Sequence, residues 1–481
     1  MMLKIQACLL VLFFSVVLPF GSNAQRETGL VLDRYSITEA SRFNPANIVD
    51  SRTRLDIEVV GFTLYGQNSF AYMAKEETSI LRLQLPSKAS YEGTGNGRYD
   101  AQVEGQVTMP SFAMVEGDFS YGINTRIRAF AVGRKVPEFA AIFAIEGFDY
   151  TPLWYQDLES NNWRTKTMAW LEVAVQGGAI VGRNRDKILN LGVSVKYLSG
   201  IVSVNTLNDR MDIRIDSTDL GVLDFSTNYA VSQSALRGTG GAALDVGIVY
   251  EKKKKIAVGY IPHEGMYKCD YLGYDWRVGV ALVDLGYVNY KRETNWGVIE
   301  NAQARIENFR DSWPGGISEI DPYLQDNFGQ YYQDSGERFA AWTPASFTFF
   351  GDYHIKKNWF VGATSAVAIP LANRYGVEGL PFYIAAVGRY ENQNLSFSIP
   401  VKFDSFAKLG VGGMLRYKYF SIGTDNFIPF LFNVDVYGLD GYFHIKLPFT
   451  KWSTCQRSNY KWKVSDCRQP GYNNGKKKKN K

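Results

Sequence analysis

The sequence predicts an all-β fold, a transmembrane antiparallel β-barrel of about fourteen strands, on three observations: two-faced strands recurring along the chain, an export signal ahead of them, and abundant aromatic residues. Leu395 to Phe403 reads Leu-Ser-Phe-Ser-Ile-Pro-Val-Lys-Phe. Successive strand side chains point to opposite faces, so its large apolar residues share one face and its small or polar ones the other. Leu189, Leu191, Val193, Val195 and Tyr197 alternate in the same way with Asn190, Gly192, Ser194 and Lys196. Phe119, Tyr121, Ile123 and Ile127 alternate with Ser120, Gly122, Asn124, Arg126 and Arg128. A wall with one oily and one wet face suits a barrel whose outside meets lipid and whose inside meets water.

The first 24 residues read as a secretory signal. Lys4 supplies a positive start, Ile5 to Phe20 is almost wholly apolar, and Ser22-Asn23-Ala24 offers small residues before a cut ahead of Gln25. No later stretch reaches the ~20 apolar residues of a membrane helix. A spanning chain must then close into a barrel, because lipid offers no partner for unpaired backbone groups. The 30 Tyr, 30 Phe and 10 Trp fit interfacial girdles. A mean hydropathy of −0.19 is compatible with a membrane protein only if half of each strand avoids lipid.

Charge and cysteine mark off the C-terminus. The net +5 of the chain comprises +1 from Lys4, +9 from residues 451–481 and −5 from residues 25–450. We therefore read residues 450–481 as a basic tail, ending in a self-repelling Lys-rich run. Cys455 and Cys467 lie close together in that tail, where an oxidising compartment permits a disulfide, whereas Cys269 stands alone.

Taken in order, the predicted strand cores are 54–68, 103–114, 117–132, 167–180, 187–202, 239–250, 275–290, 344–355, 358–370, 381–391, 394–403, 408–418, 419–429 and 434–448. Short polar turns at 183–186, 356–357 and 392–394 fall on one side, expected to be periplasmic together with both termini. Long connections around 134–165, 203–238 and 291–343 fall outside. Lys252 to Lys255 could be a hairpin turn before an extra strand at 256–261, so about twelve to sixteen strands are admissible.

Three segments carry a family resemblance: Ser41-Arg42-Phe43-Asn44-Pro45-Ala46, Leu189 to Gly200, and Arg277 to Gly286. They resemble an uncharacterised family of bacterial outer-membrane barrels similar to the FadL-type long-chain fatty-acid transporters and to the PorV barrels of type IX secretion. The resemblance spans nearly all of residues 30–449 and implies fourteen strands. By this similarity residues 25–53, and Asn44, Pro45 and Ala46 in particular, enter the lumen as a plug; alternatively Pro45 simply shapes the entry turn into the first strand. Some relatives append a peptidoglycan-binding domain, but this tail keeps only Asp466 to Gly471 of the linker that leads to it.

Within residues 54–449, the polar phase places Arg126, Arg128, Lys196, Arg277, Lys402, Arg416, Lys418 and Lys446 inward against Glu172, Asp245 and Asp352. Such an inventory attracts anions or pairs internally, and pairing is the reading adopted. Residues 134–156 are apolar at helical spacing and are read as a cap, with a solute groove or a protein contact as the alternatives. His263, His354 and His444 have no flanking catalytic motif, and no phosphate loop, zinc spacing or calcium loop is present. Neither an enzyme, a cofactor nor a metal is expected.

Two functions follow: a FadL-like channel for a hydrophobic or amphiphilic solute, or a non-transporting barrel partner of an outer-membrane secretion or assembly complex. The expected partners are outer-membrane lipid and other outer-membrane or periplasmic proteins, with no nucleic acid.

Overall fold

The computed structural model describes residues 27–450 apart from 76–88, 92, 94–96, 256, 258–259, 264–271, 370–374, 376–381, 405, 407–408 and 432–433. Residues 1–26 with the expected signal, Cys269, and residues 451–481 with Cys455 and Cys467 lie outside the described residues.

Fourteen strands form a closed antiparallel ring among the described residues: β1 Leu55–Asn68, β2 Arg98–Glu116, β3 Phe119–Pro137, β4 Leu158–Asn184, β5 Lys187–Asp216, β6 Thr239–Lys253, β7 Tyr274–Tyr290, β8 Ser346–Lys356, β9 Trp359–Ala368, β10 Phe382–Glu391, β11 Leu395–Asp404, β12 Leu409–Val411 with Gly413–Tyr417, β13 Phe420–Thr424 and β14 Gly438–Phe449. β1 pairs with both β2 and β14, which closes the ring and removes the sheet edges. The hairpin turns at 117–118, 185–186, 357–358 and 418–419 gather at one end, where Arg185, Lys357, Lys418 and Gly117 adopt left-handed backbone. No strand occurs among the described residues of 254–273; residues 256 and 258–259 of the candidate at 256–261 lie outside the described residues.

Burial is inverted relative to a soluble sheet. Along β5 exposed Leu189, Leu191, Val193 and Val195 alternate with buried Asn190, Ser194 and Lys196. The apolar phase is the outer belt and the polar phase is packed inside, as lipid outside requires.

The long connections differ from expectation. β5 runs on to Asp216 and β4 starts at Leu158, and strands Asp219–Ser232, Thr294–Ile306 and Tyr332–Gly336 extend this sheet beyond the ring. Away from lipid these strands need no unbroken apolar face, so their alternation is weak; neighbouring ladders hold them. Phe139 and Phe143 of helix α2 (Glu138–Glu146) pack with Ile213, Ile215, Phe309 and Phe328, the last on helix α3 (Ile320–Phe328), to form an apolar cap on this sheet. β13 ends at Thr424 rather than near 429, because the Asp440 carboxylate accepts from the Asp425 and Asn426 N–H groups and turns the chain.

Candidate functional site: the β1–β14 seam and the segment behind it

The ring is not uniformly hydrogen-bonded. β1 pairs with β14 from Leu55–Phe449 to Val60–Ile445, with a bulge between Glu58 and Val60. The regular ladder then stops; among the described residues the next backbone hydrogen bond between the two segments runs from the Asn68 N–H to Tyr437 O at 3.1 Å, beside the close approach of Gly438 to Gly66 O. Residues 61–67 and 438–444 therefore face each other without regular ladder pairs, although β1 stays paired with β2 throughout 61–68 and β14 with β13 at 442–445. Regular pairing gives way here, which makes this the least regular stretch of the β1–β14 contact.

A cavity of about 1030 Å³ lies across that seam, lined by Phe62, Leu64, Val107, Ile399, Leu415 and Ile422 from the outer face, and by Thr63, Ser398, Met414 and Tyr442 at its floor. Its one charged lining residue is Asp440, whose carboxylate accepts from Thr424 Oγ1 at 2.6 Å and Asp425 N at 2.7 Å. Asp440 also borders a second cavity of about 300 Å³ toward the cap end, lined by Lys402, Asp404, Asp435 and Tyr437.

Residues 27–53 lie inside the ring, every described one of them through Ser51 buried. They begin behind the seam. Thr28 Oγ1 donates to Asp425 at 2.7 Å, Ser398 Oγ donates to Gly29 O at 2.7 Å, and Leu30 packs on Met414 and Tyr442. Helix α1 (Ile37–Phe43) follows, with Glu39 ion-paired to Lys446 at 2.9 Å and Arg42 to Glu58. Asn44, Pro45 and Ala46 then rest on a glycine cradle. A methyl on Gly192 of β5 would lie 2.3 Å from Ala46 N and from the Pro45 carbonyl carbon, one on Gly247 of β6 2.1 Å from Asn44 Oδ1, and one on Gly279 of β7 3.0 Å from Asn44 Nδ2. The Asn44 side chain caps the following turn by accepting from Ala46 N at 2.9 Å. Pro45 thus touches the inner wall at Gly192 and Gly247 and opens the turn Pro45–Ile48.

The remaining interior is packed in layers. Arg126 pairs with Glu172 at 2.7 Å, Arg128 with Asp284 at 2.9 Å and Glu104 at 3.7 Å, and Lys196 with Asp245 at 2.7 Å and Asp284 at 2.5 Å. Arg277 and Arg389 share Asp352 at 3.1 and 2.9 Å, and Arg416 meets Asp33 at 2.8 Å. Toward the cap, an apolar layer of Phe130, Trp170, Tyr290 and Phe339 lies over these ions.

Pairing, and not a positive lumen, is therefore what the inward cations do. Lys418 is the exception to their placement: it is exposed in the β12–β13 turn at φ 49°, since the strand ends at Tyr417 and its phase no longer applies. Strand phase did not find Asp284, because a bulge between Leu282 and Leu285 turns Val283 and Asp284 both inward. Asp33 was missed because it lies outside any strand. His444 donates to or accepts from Glu58 at 2.7 Å and Glu27 at 3.1 Å, His263 contacts Ser51 O, and His354 contacts Lys254. The three histidines thus occupy separate structural settings. Glu39, Glu58 and His444 approach one another closely enough to hold a cation, but Lys446 and Arg42 already neutralise the two carboxylates.

Residues 45–425 match DUF5723, described as a family of unknown function. The chain belongs to that family. No curated protein matches it. Among solved structures it is similar to the toluene transporter TbuX of Ralstonia pickettii, with 11% identity over 86% of this chain and 94% of that one at a TM-score of 0.38. The P. putida toluene transporter TodX aligns at 10% identity over 86% and 95%, TM-score 0.39. The monoaromatic hydrocarbon channel CymD aligns at 8% over 89% and 98%, TM-score 0.34.

Proposed function

We propose that this DUF5723 protein is an outer-membrane channel that passes a hydrophobic or amphiphilic solute sideways through the β1–β14 seam, with its short turns and both termini in the periplasm. The observation that carries this reading is the interrupted ladder beneath a cavity of about 1030 Å³ whose lining is almost wholly apolar. A cavity of that size, mostly apolar with a few polar groups at one edge, has the character of a small-molecule site. With the ion layer and residues 27–53 occupying the interior, a solute that enters from the cap end meets the seam as the region of least backbone pairing. Residues 27–31 lie directly behind its floor residues Thr63, Ser398, Met414 and Tyr442, so they act as the plug that the solute must displace or skirt.

The register of the flanking pairs sets Leu64 opposite Gly441. Leu64→Cys with Gly441→Cys, in a background with Cys269, Cys455 and Cys467 replaced by serine, locks the seam on oxidation. Uptake of a labelled fatty alcohol into proteoliposomes is expected to fall on oxidation and recover on reduction. Uptake indifferent to the lock rules out the lateral route. It would favour instead a non-transporting barrel partner of a secretion or assembly complex, the second reading, which the filled interior supports.

A further inference from the structure

We infer that Lys187 and Lys252 hold the phosphate of an anionic phospholipid against the barrel wall at the short-turn end. The two lysines are directly opposed on the β5–β6 ladder, and Lys252 is in turn opposed by Trp276 of β7, which is opposed by Tyr353 of β8. Opposed residues of adjacent strands share a face. This face is the outer one: two residues further along, Leu189 and Val278 are exposed to the lipid side, as is Tyr353 itself. Two cations and two aromatic rings therefore form one row around the outside of the wall. Above it stand Leu189, Tyr250 and Val278, with the Tyr250 and Trp276 rings 5.7 Å apart.

Like charges directly opposite each other across a ladder destabilise it. The one described carboxylate in ion-pair range is Asp275, 3.8 Å from Lys252 Nζ, with both side chains more than a third exposed. It offsets one charge of the pair and leaves Lys187 without a counter-ion among the described residues. A phosphate over the pair supplies the missing negative charge. The position fixes its source, because tryptophan and tyrosine mark the headgroup level and the aliphatic surface above them suits acyl chains. Nearby turns add Arg185, Lys254, Lys255, Lys356 and Lys357, all exposed at the same end.

The test compares the full-length mature barrel in nanodiscs of phosphatidylcholine alone and with phosphatidylglycerol. The parent is expected to unfold several degrees later with phosphatidylglycerol and to retain that lipid in native mass spectra. Lys187→Gln with Lys252→Gln is expected to lose both effects, yet to unfold no earlier than the parent in phosphatidylcholine, because the repulsion is gone. Arginine at both positions restores the effects, and Lys356→Gln with Lys357→Gln keeps them. An undiminished lipid effect in the first pair overturns the assignment. So does an equal loss in the second pair, which would mean a diffuse attraction to the rim. Reproduction of the shift by inorganic phosphate in phosphatidylcholine discs also overturns it, by assigning the site to a free ion.

Discussion

Replacing Gly192 with alanine measures how firmly the barrel wall holds Asn44-Pro45-Ala46. The new methyl lies 2.3 Å from two backbone atoms of the segment and 2.4 Å from Pro45 O. None of these atoms can rotate away as a side chain would, so either β5 or the segment must move. Overpacking of this kind costs about 1–3 kcal/mol. A displaced segment also loses the hydrogen bond from Thr348 Oγ1 to Phe43 O at 2.7 Å and that from Asn44 Nδ2 to Ile248 O at 3.3 Å, each contributing about 1 kcal/mol. The expected loss is therefore about 3–5 kcal/mol. Gly388→Ala on β10 is the reference, since its methyl meets nothing within 4 Å, and the smaller freedom of the unfolded chain stabilises it by about 0.4–1 kcal/mol. Urea unfolding in detergent, followed by the gel shift between folded and unfolded barrel, gives the two stabilities, and tryptic cleavage after Arg42 or Arg52 reports release of the segment. Equal stability and equal protection in the two variants would show that the segment does not rest on the glycine.

Val195 is 58% exposed on the lipid side, and Val195→Arg is expected to cost about 2–4 kcal/mol in lipid. Ser194→Arg would be mild in a water-filled lumen, but Ser194 is buried opposite Asp245, so folding yield in vesicles should fall for both variants. Arg416→Ala strands the buried Asp33 carboxylate and is expected to cost about 3–5 kcal/mol, against at most about 0.5 kcal/mol for exposed Lys418→Ala; comparable unfolding midpoints would contradict the interior pairing. In the sheet beyond the ring, hydrogen bonds from Arg305 and then from the Asn308 N–H hold the Asp219 carboxyl below the usual carboxylate range. That support is complete above the ordinary aspartate pKa and is lost as pH falls through the depressed value. Hydrogen exchange around 219–222 and 305–308, corrected for its intrinsic pH dependence, should therefore rise on acidification in the parent and show no such step in Asp219→Asn.

Alternation alone was enough to place the strands of the ring and to sort their faces, because lipid outside and a packed polar interior impose opposite demands on neighbouring residues of one strand. Leu189 to Tyr197 and Leu395 to Phe403 carry that demand in plain form, and Arg126, Arg128, Lys196, Arg277 and Arg416 follow from it as inward cations. Phase fails where a strand stops or bulges, as at Lys418 and Asp284. It also says nothing of strands beyond the membrane, such as Asp219–Ser232, whose faces are not divided between oil and water. Resemblance pointed to Asn44-Pro45-Ala46, but that Gly192, Gly247 and Gly279 form its cradle depends on three strands lying side by side. The seam was not legible at all: Gly61 to Gln67 and Gly438 to His444 read as ordinary strand, and they become neighbours only because the ring closes its first strand on its last. Which side chain faces lipid is a local property of the chain; where the ladder between two strands is interrupted depends on what closure brings beside them, and only the tertiary structure decides that.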